Sequence, residues 1–159
     1  MGRPRPWNAD EAADIIASHR DMPGAALPIL HALQDAFGYV DREAVPLIAD
    51  ALNLSRAEIH GIVSFYHDFR DAPPGRRVLR LCRAEACQSM GCDALIRHVE
   101  DSQRVTLGET NADRTLTVEA VYCLGNCALA PAVLLDGELH GRVSAASLDR
   151  LLGDARRRA

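Results

Sequence analysis

Four of the five cysteines stand in two spaced pairs, Cys82-x4-Cys87 and Cys123-x3-Cys127. An odd cysteine count without a secretory leader argues against a disulfide framework and turns the question to metal or redox chemistry. Three species suit four such thiols. One zinc ion wants tetrahedral ligation, usually from tight C-x2-4-C knuckles. Two sulfide-bridged irons need the same four thiolates around a wider object and accept looser spacings such as x3 and x4. Free thiols, redox-active or structural, are the third reading, although the C-x-x-C of thiol oxidoreductases is absent. The spacing favours a [2Fe–2S] cluster and leaves zinc and free thiols open. It is not the plant-type ferredoxin pattern, in which three cysteines crowd one loop.

The flanks bear on the choice. Cys123-Leu-Gly-Asn-Cys-Ala-Leu-Ala-Pro131 is apolar apart from Asn126, and Gly125 lets the backbone fold back with N–H groups aimed at sulfur. A dry collar with peptide donors tunes a cluster's potential and excludes solvent. Cys87 is expected where a helix begins, with the positive end of the dipole favouring its thiolate. Arg83 places positive charge beside the first pair, and its competing reading is an exposed loop residue. Cys92 falls five residues after Cys87, about 140° around a helix axis. It reads as a buried small apolar side chain and not as a ligand.

Each pair follows an expected strand. Val78–Cys82 forms one, and residues 115–122 form another with Leu116, Val118, Ala120 and Tyr122 on one face. If these strands are parallel neighbours, both loops leave the sheet at the same edge and four thiolates converge on one point. Between them a helix is expected from about Gln88 to Asp101. Then 132–135 and 138–140 flank Asp136-Gly137, a two-residue hairpin signal. Ser144 can cap a last helix carrying Leu148, Leu151 and Leu152, with Gly153 closing it and the basic Arg156–Arg158 as its solvated end. Strand, helix, strand, hairpin, helix is the order of a thioredoxin-like α/β layer, the second strand reached by a right-handed crossover.

Asp71-Ala-Pro-Pro-Gly75 halts any helix and divides the chain into 1–70, a linker 71–75, and 76–159. Residues 1–70 carry 6 Arg against 10 acids, and all five cysteines lie downstream. This first part reads as a bundle of four short helices. Asn8 or Asp10 caps the first, through about His19, burying Ala12, Ile15 and Ile16. Pro23 or Gly24 opens the second, with Leu27, Leu30, Leu33 and Phe37 on one face and Gly38 ending it. Asp41 caps the third, with Val45, Ile48 and Leu52 inward, and Ser55-x-x-Glu58 is a capping box for the fourth, with Ile59, Ile62 and Val63 inward. Such stripes are too weak to stand alone and must pack on each other or on a partner. The aromatic run Phe65-Tyr-His-Asp-Phe69 is expected to anchor a core at the domain junction.

Composition excludes much else. The net charge is -4 and all 18 basic residues are arginine, so no phosphate-binding surface, P-loop lysine or Schiff-base lysine is expected. Aromatic residues make up 4%, too few for a base-stacking platform, so nucleic acid is not an expected partner. No apolar run nears the roughly 20 residues of a membrane span. Met1–Trp7 has no apolar core for a signal, and Pro6 stands where a myristoylation motif needs Ser or Thr, so a cytoplasmic location is expected. The six His are scattered, and the eleven Gly form neither G-x-G-x-x-G nor a P-loop, so no nucleotide site is expected in this chain. A one-electron carrier without a substrate site depends on partners.

Phe37-Gly38-Tyr39-Val40, Ile62-Val-Ser-Phe-Tyr66, Cys82-x4-Cys87, Cys123-Leu-Gly-x-Cys127-Ala-Leu-Ala-Pro131 and Glu138-Leu-His-Gly141 together resemble the thioredoxin-like [2Fe–2S] subunits of NADH dehydrogenases, over nearly the whole chain. That family includes the 24 kDa subunit of respiratory complex I and matching subunits of NAD-linked hydrogenases and soluble formate dehydrogenases. The loop Cys82-Arg-Ala-Glu-Ala-Cys-Gln-Ser-Met-Gly91 looks most like the gamma subunit of soluble, molybdenum-containing, NAD-dependent formate dehydrogenase. The resemblance implies one [2Fe–2S] cluster, with Cys82 and Cys87 on one iron and Cys123 and Cys127 on the other. It also implies a division of labour. A partner flavoprotein would bind FMN and NAD, a larger molybdenum-cofactor and iron–sulfur subunit would oxidise formate, and the helical first part would dock on them. Cys92 departs from the common family pattern and inherits no role.

Overall fold

Asn8 starts the first helix by accepting a hydrogen bond from the Glu11 amide at 3.0 Å, which satisfies one of the free N–H groups of α1 (Ala9–His19). The computed structural model to which this helix belongs describes the backbone of residues 5–158 and side chains through Gly153. Met1–Pro4 and the side chains of Arg156–Arg158, whose charge was expected to end the last helix, lie outside the described residues. The chain divides into two units, Met1–Pro74 and Gly75–Ala159.

In the first unit α1 is followed by α2 (Ala26–Phe37), α3 (Ala44–Leu52) and α4 (Arg56–Phe65). Gly38 ends α2 in the left-handed region at φ 84°, and the Ser55–Glu58 capping box opens α4 with both reciprocal bonds made. Two helix starts differ from expectation. Gly24 adopts φ 65° and is used in the turn before α2, so that helix begins at Ala26. Asp41 closes a turn instead of capping α3. Its Oδ1 accepts from the Glu43 amide at 2.9 Å and its carbonyl from the Ala44 amide at 3.0 Å, so the helix begins at Ala44.

Ala12, Ile16, Ile29, Leu30, Leu33, Phe37, Ile48 and Ile59 are buried together, each large side chain contributing about 1.5–3 kcal/mol by leaving water. Ile15, Leu27, Val45, Leu52, Ile62 and Val63 pack against that core but are only partly buried. The aromatic run splits. Phe69 is buried against the ring of His31, whereas Phe65 is 74% and Tyr66 43% exposed, so one ring anchors the core and two face outward.

In the second unit β1 (Arg77–Cys82), β2 (Leu116–Val121), β3 (Val133–Leu135) and β4 (Glu138–His140) form one sheet in the order β2-β1-β3-β4. The β1–β2 pair is parallel and the others antiparallel. Leu79, Leu81, Val118 and Val133 meet Leu95, Ile96 and Val99 of α6 (Cys92–Gln103) and Leu148 and Leu152 of α7 (Ala145–Arg158) in one core. Asp136 and Gly137 take φ 51° and 90°, the paired left-handed residues of a tight hairpin. Ser144 Oγ accepts from the Ser147 amide at the start of α7.

Three expectations fail here. The helix between β1 and β2 is broken into α5 (Glu85–Ser89) and α6, because Gly91 turns left-handed at φ 87° and starts a second helix. Tyr122 is not on an inward strand face; it lies beyond β2 and is 72% exposed. Gly153 does not close α7, which continues to Arg158: Gly153 has no left-handed φ with which to end a helix. Among the described residues no helix is long and apolar enough to cross a membrane.

Candidate metal centre

Parallel pairing fixes where the two cysteine loops begin. Cys82, the last residue of β1, is in register with Val121, the last of β2, and the Arg83 amide donates to the Val121 carbonyl at 2.8 Å. Cys123 therefore starts its loop two residues beyond the position beside Cys82. Cys87 sits in α5, which folds directly after the strand. Cys82, Cys87 and Cys92 are buried in one apolar cluster with Ala130 and Ala132, and Leu124 of the second loop packs against it. The two loops thus meet at one end of the sheet.

The second loop is bent by two left-handed residues, Cys123 at φ 93° and Gly125 at φ 72°. Left-handed backbone costs a side-chain-bearing residue about 1–2 kcal/mol, which marks Cys123 as a position held by its surroundings. The bend turns the Gly125 N–H back to donate to Cys123 Sγ at 3.4 Å, and brings Cys123 and Cys127 Sγ to 4.0 Å. Cys127 then opens a short 3-10 turn, Cys127–Leu129. Gly141 braces that turn. A Cβ at this position would lie 2.6 Å from Leu129 Cβ and 2.8 Å from Asn126 Nδ2, and the neighbouring Arg142 amide donates to the Leu129 carbonyl at 2.6 Å. In the sequence Gly141 stands out only as part of a family signature; its close approach to the loop is visible in three dimensions alone.

Burial opposes ionisation of Cys82, yet the amides of Ala84, Cys123 and Leu124 and the Cys87 thiol outweigh it and hold its pKa below the ordinary thiol value. Two of those amides come from the second loop, so the peptide backbone after β2 stabilises negative charge on the sulfur after β1. Cys87 moves the other way: burial, with Cys82 and Cys92 nearby, pushes its thiol up despite the Ala132 amide. Cys87 is the third residue of the short α5 and is buried there. Cys127 is also raised, by the hydrogen bond and charge of Cys123.

The sequence pattern of the thioredoxin-like [2Fe–2S] ferredoxin family matches residues 12–156. The chain belongs to that family. Its relatives include the HndA subunit of an NADP-reducing hydrogenase of Solidesulfovibrio fructosivorans, 28% identical with 91% of this chain and 84% of that one covered. An NADH-quinone oxidoreductase subunit of Rhizobium meliloti is 32% identical, covering 90% of this chain and 85% of that one. A crystal structure of an NAD+-reducing [NiFe]-hydrogenase in the air-oxidised state superposes with a TM-score of 0.72 at 29% identity. That match covers 87% of this chain and 24% of the longer one, so this chain spans about a quarter of that hydrogenase polypeptide.

The thioredoxin-like [2Fe–2S] ferredoxin family implies one [2Fe–2S] cluster, and the residues here fit it. Cys123 and Cys127 Sγ lie 4.0 Å apart, and Cys82 and Cys87 are buried together in one apolar cluster. Among the described residues no group of three His, Cys, Asp or Glu side chains is already gathered around one point. One pair is buried and the other exposed. The Gly125 N–H already faces sulfur, and among the described residues the Nε of Arg83, which follows Cys82 in the chain, is buried with no hydrogen-bond partner. In this ferredoxin Cys92 is buried at the first turn of α6, with its Sγ 3.9 Å from Asp93 Oδ1.

Proposed function

We propose that Cys82, Cys87, Cys123 and Cys127 ligate one [2Fe–2S] cluster, and that the chain is the electron-transfer subunit of a cytoplasmic, NAD-dependent formate dehydrogenase. The single observation that carries the ligand assignment is the meeting of the two cysteine loops: Cys82 and Val121 end β1 and β2 in parallel register, and Leu124 packs against the cluster that buries Cys82 and Cys87. When bound, the cluster exchanges single electrons with a flavin in a partner subunit.

The protein's own residues prepare that exchange. Ala130, Ala132 and Leu124 keep water from the Cys82–Cys87 side, and the Gly125 N–H stabilises charge on Cys123. Cys123 and Cys127 lie exposed, flanked by the outward-facing Tyr122 and Leu129, which gives the site one open, partly apolar side for a partner. The partners in this reading are a flavin- and NAD-binding subunit and a larger molybdenum and iron–sulfur subunit. Residues 76–159 carry the cluster, 71–75 connect, and 1–70 dock. Exposed Met22, Leu54, Phe65 and Tyr66 on the helical unit support the docking role.

The loop from Cys82 to Gly91 supports formate dehydrogenase. A second reading, the equivalent subunit of an NAD-linked hydrogenase or of complex I, is favoured by the hydrogenase and NADH-quinone oxidoreductase relatives. Anaerobic co-purification from the native host separates them. A co-purifying molybdenum subunit and formate-dependent reduction of NAD support the first. Hydrogen-dependent reduction, or co-purification with quinone-reducing membrane subunits, replaces it with the second.

A further inference from the structure

Arg83 is held between the two cysteine loops by both ends of its peptide unit. Its N–H donates to the Val121 carbonyl at 2.8 Å and its carbonyl accepts from Gln88 Nε2 at 2.9 Å. The side chain is only 35% exposed, and its one near anion among the described residues, Asp93 Oδ1, is 3.8 Å away, beyond hydrogen-bond distance. Among the described residues Nε is buried and has no hydrogen-bond partner. An exposed loop arginine would keep that N–H in water, and buried donors in folded proteins are almost always paired. Among the described residues no acceptor meets this donor, and Arg83 directly follows Cys82 in the chain, its charge reaching the Cys92 thiol of the same buried cluster.

We propose that Arg83 sets the reduction potential of the cluster, its Nε–H serving as the donor reserved for a sulfur of the bound group. This rests on the cysteine assignment above. Reduction adds one electron, supplied by the partner flavin or by dithionite in the test, with no bond made or broken. The site then carries one more negative charge. A guanidinium stays charged at every accessible pH and is not spent on a close carboxylate here, so it favours the reduced state. Asp93 faces the same guanidinium and attenuates the effect without cancelling it.

The test uses the holoprotein grown with arginine 15N-labelled only in its guanidine nitrogens and reduced with dithionite. Pulsed EPR should detect a 15N hyperfine coupling to the reduced cluster that vanishes in Arg83→Gln. In an EPR-monitored redox titration Arg83→Gln should shift the reduction equilibrium about tenfold toward the oxidised form, about 59 mV for one electron. Arg83→Lys should keep most of that potential while losing the arginine coupling. Absence of any 15N coupling in the wild-type protein overturns the proposal, and so does an Arg83→Gln potential equal to wild type. If Arg83→Gln fails to take up iron, the labelled wild-type spectrum decides alone. Absence of any reduced-state EPR signal would instead overturn the cluster assignment itself.

Discussion

Gly141 offers a sharp mechanical test of how the second cysteine loop is held. Adding one methyl group there puts a carbon 2.6 Å from Leu129 Cβ and 2.9 Å from the Leu129 carbonyl oxygen. Ordinary carbon contacts begin near 3.5 Å, so something must yield by about 1 Å. Neither neighbour is the far end of a flexible side chain; both belong to the turn that carries Cys127. Overpacking of this kind costs about 1–3 kcal/mol, and about 2 kcal/mol lowers the melting temperature of a unit this size by on the order of 10 °C. Gly141→Ala should therefore melt earlier and hold less iron after anaerobic purification. Gly61→Ala is the matched control. Gly61 is exposed within α4 and its added Cβ meets nothing within 4 Å, so the change should be neutral or stabilise by up to about 1 kcal/mol. Full iron content and an unshifted melting curve in Gly141→Ala would refute the bracing argument.

Other perturbations act on separate features. Cys123→Ser should abolish or displace the cluster while Cys92→Ser leaves it intact, as read by iron content and the reduced-state EPR signal; an unchanged signal in Cys123→Ser refutes the ligand set. Thr117 is buried, accepts from the Gly75 amide at 2.7 Å and lies 2.7 Å from Thr110 Oγ1, so Thr117→Val should cost about 1–3 kcal/mol in denaturant unfolding. The Ser55 amide and hydroxyl hold the Glu58 carboxyl below its usual value near 4.5. Its stabilisation of α4 is complete above that value and is lost as pH falls through the lowered native pKa. The stability difference between wild type and Glu58→Gln should shrink on acidification, and a difference independent of pH would contradict the capping box.

Much of this architecture is legible one residue at a time. Asn8, Gly38 and the Ser55–Glu58 pair act locally, through hydrogen bonds to their own helix ends, so the sequence states their effect directly. Asp136-Gly137 is legible for the same reason. What escaped depends on context. Gly91 breaks the helix after Cys87 only because its backbone goes left-handed, and a glycine in an otherwise helical pattern does not announce which hand it takes. Tyr122 continues the alternation of β2 on paper, but the chain leaves the sheet at Val121 to begin the cysteine loop. In the site, the cysteine spacing signals a metal centre, while two of the three amides that lower the Cys82 pKa, those of Cys123 and Leu124, come from a loop about forty residues away in sequence and are visible only once β1 and β2 pair. The buried Arg83 Nε likewise has no sequence signature beyond lying next to a cysteine.

The central claim is that two loops at one end of a parallel strand pair hold a two-iron cluster. Iron and acid-labile sulfide analysis of the full chain prepared without oxygen, followed by EPR after dithionite reduction, tests it most directly. About two irons and two sulfides per chain and a single S = 1/2 signal are expected. One tightly held zinc per chain, or a colourless, iron-free protein that turns over disulfides, would contradict it.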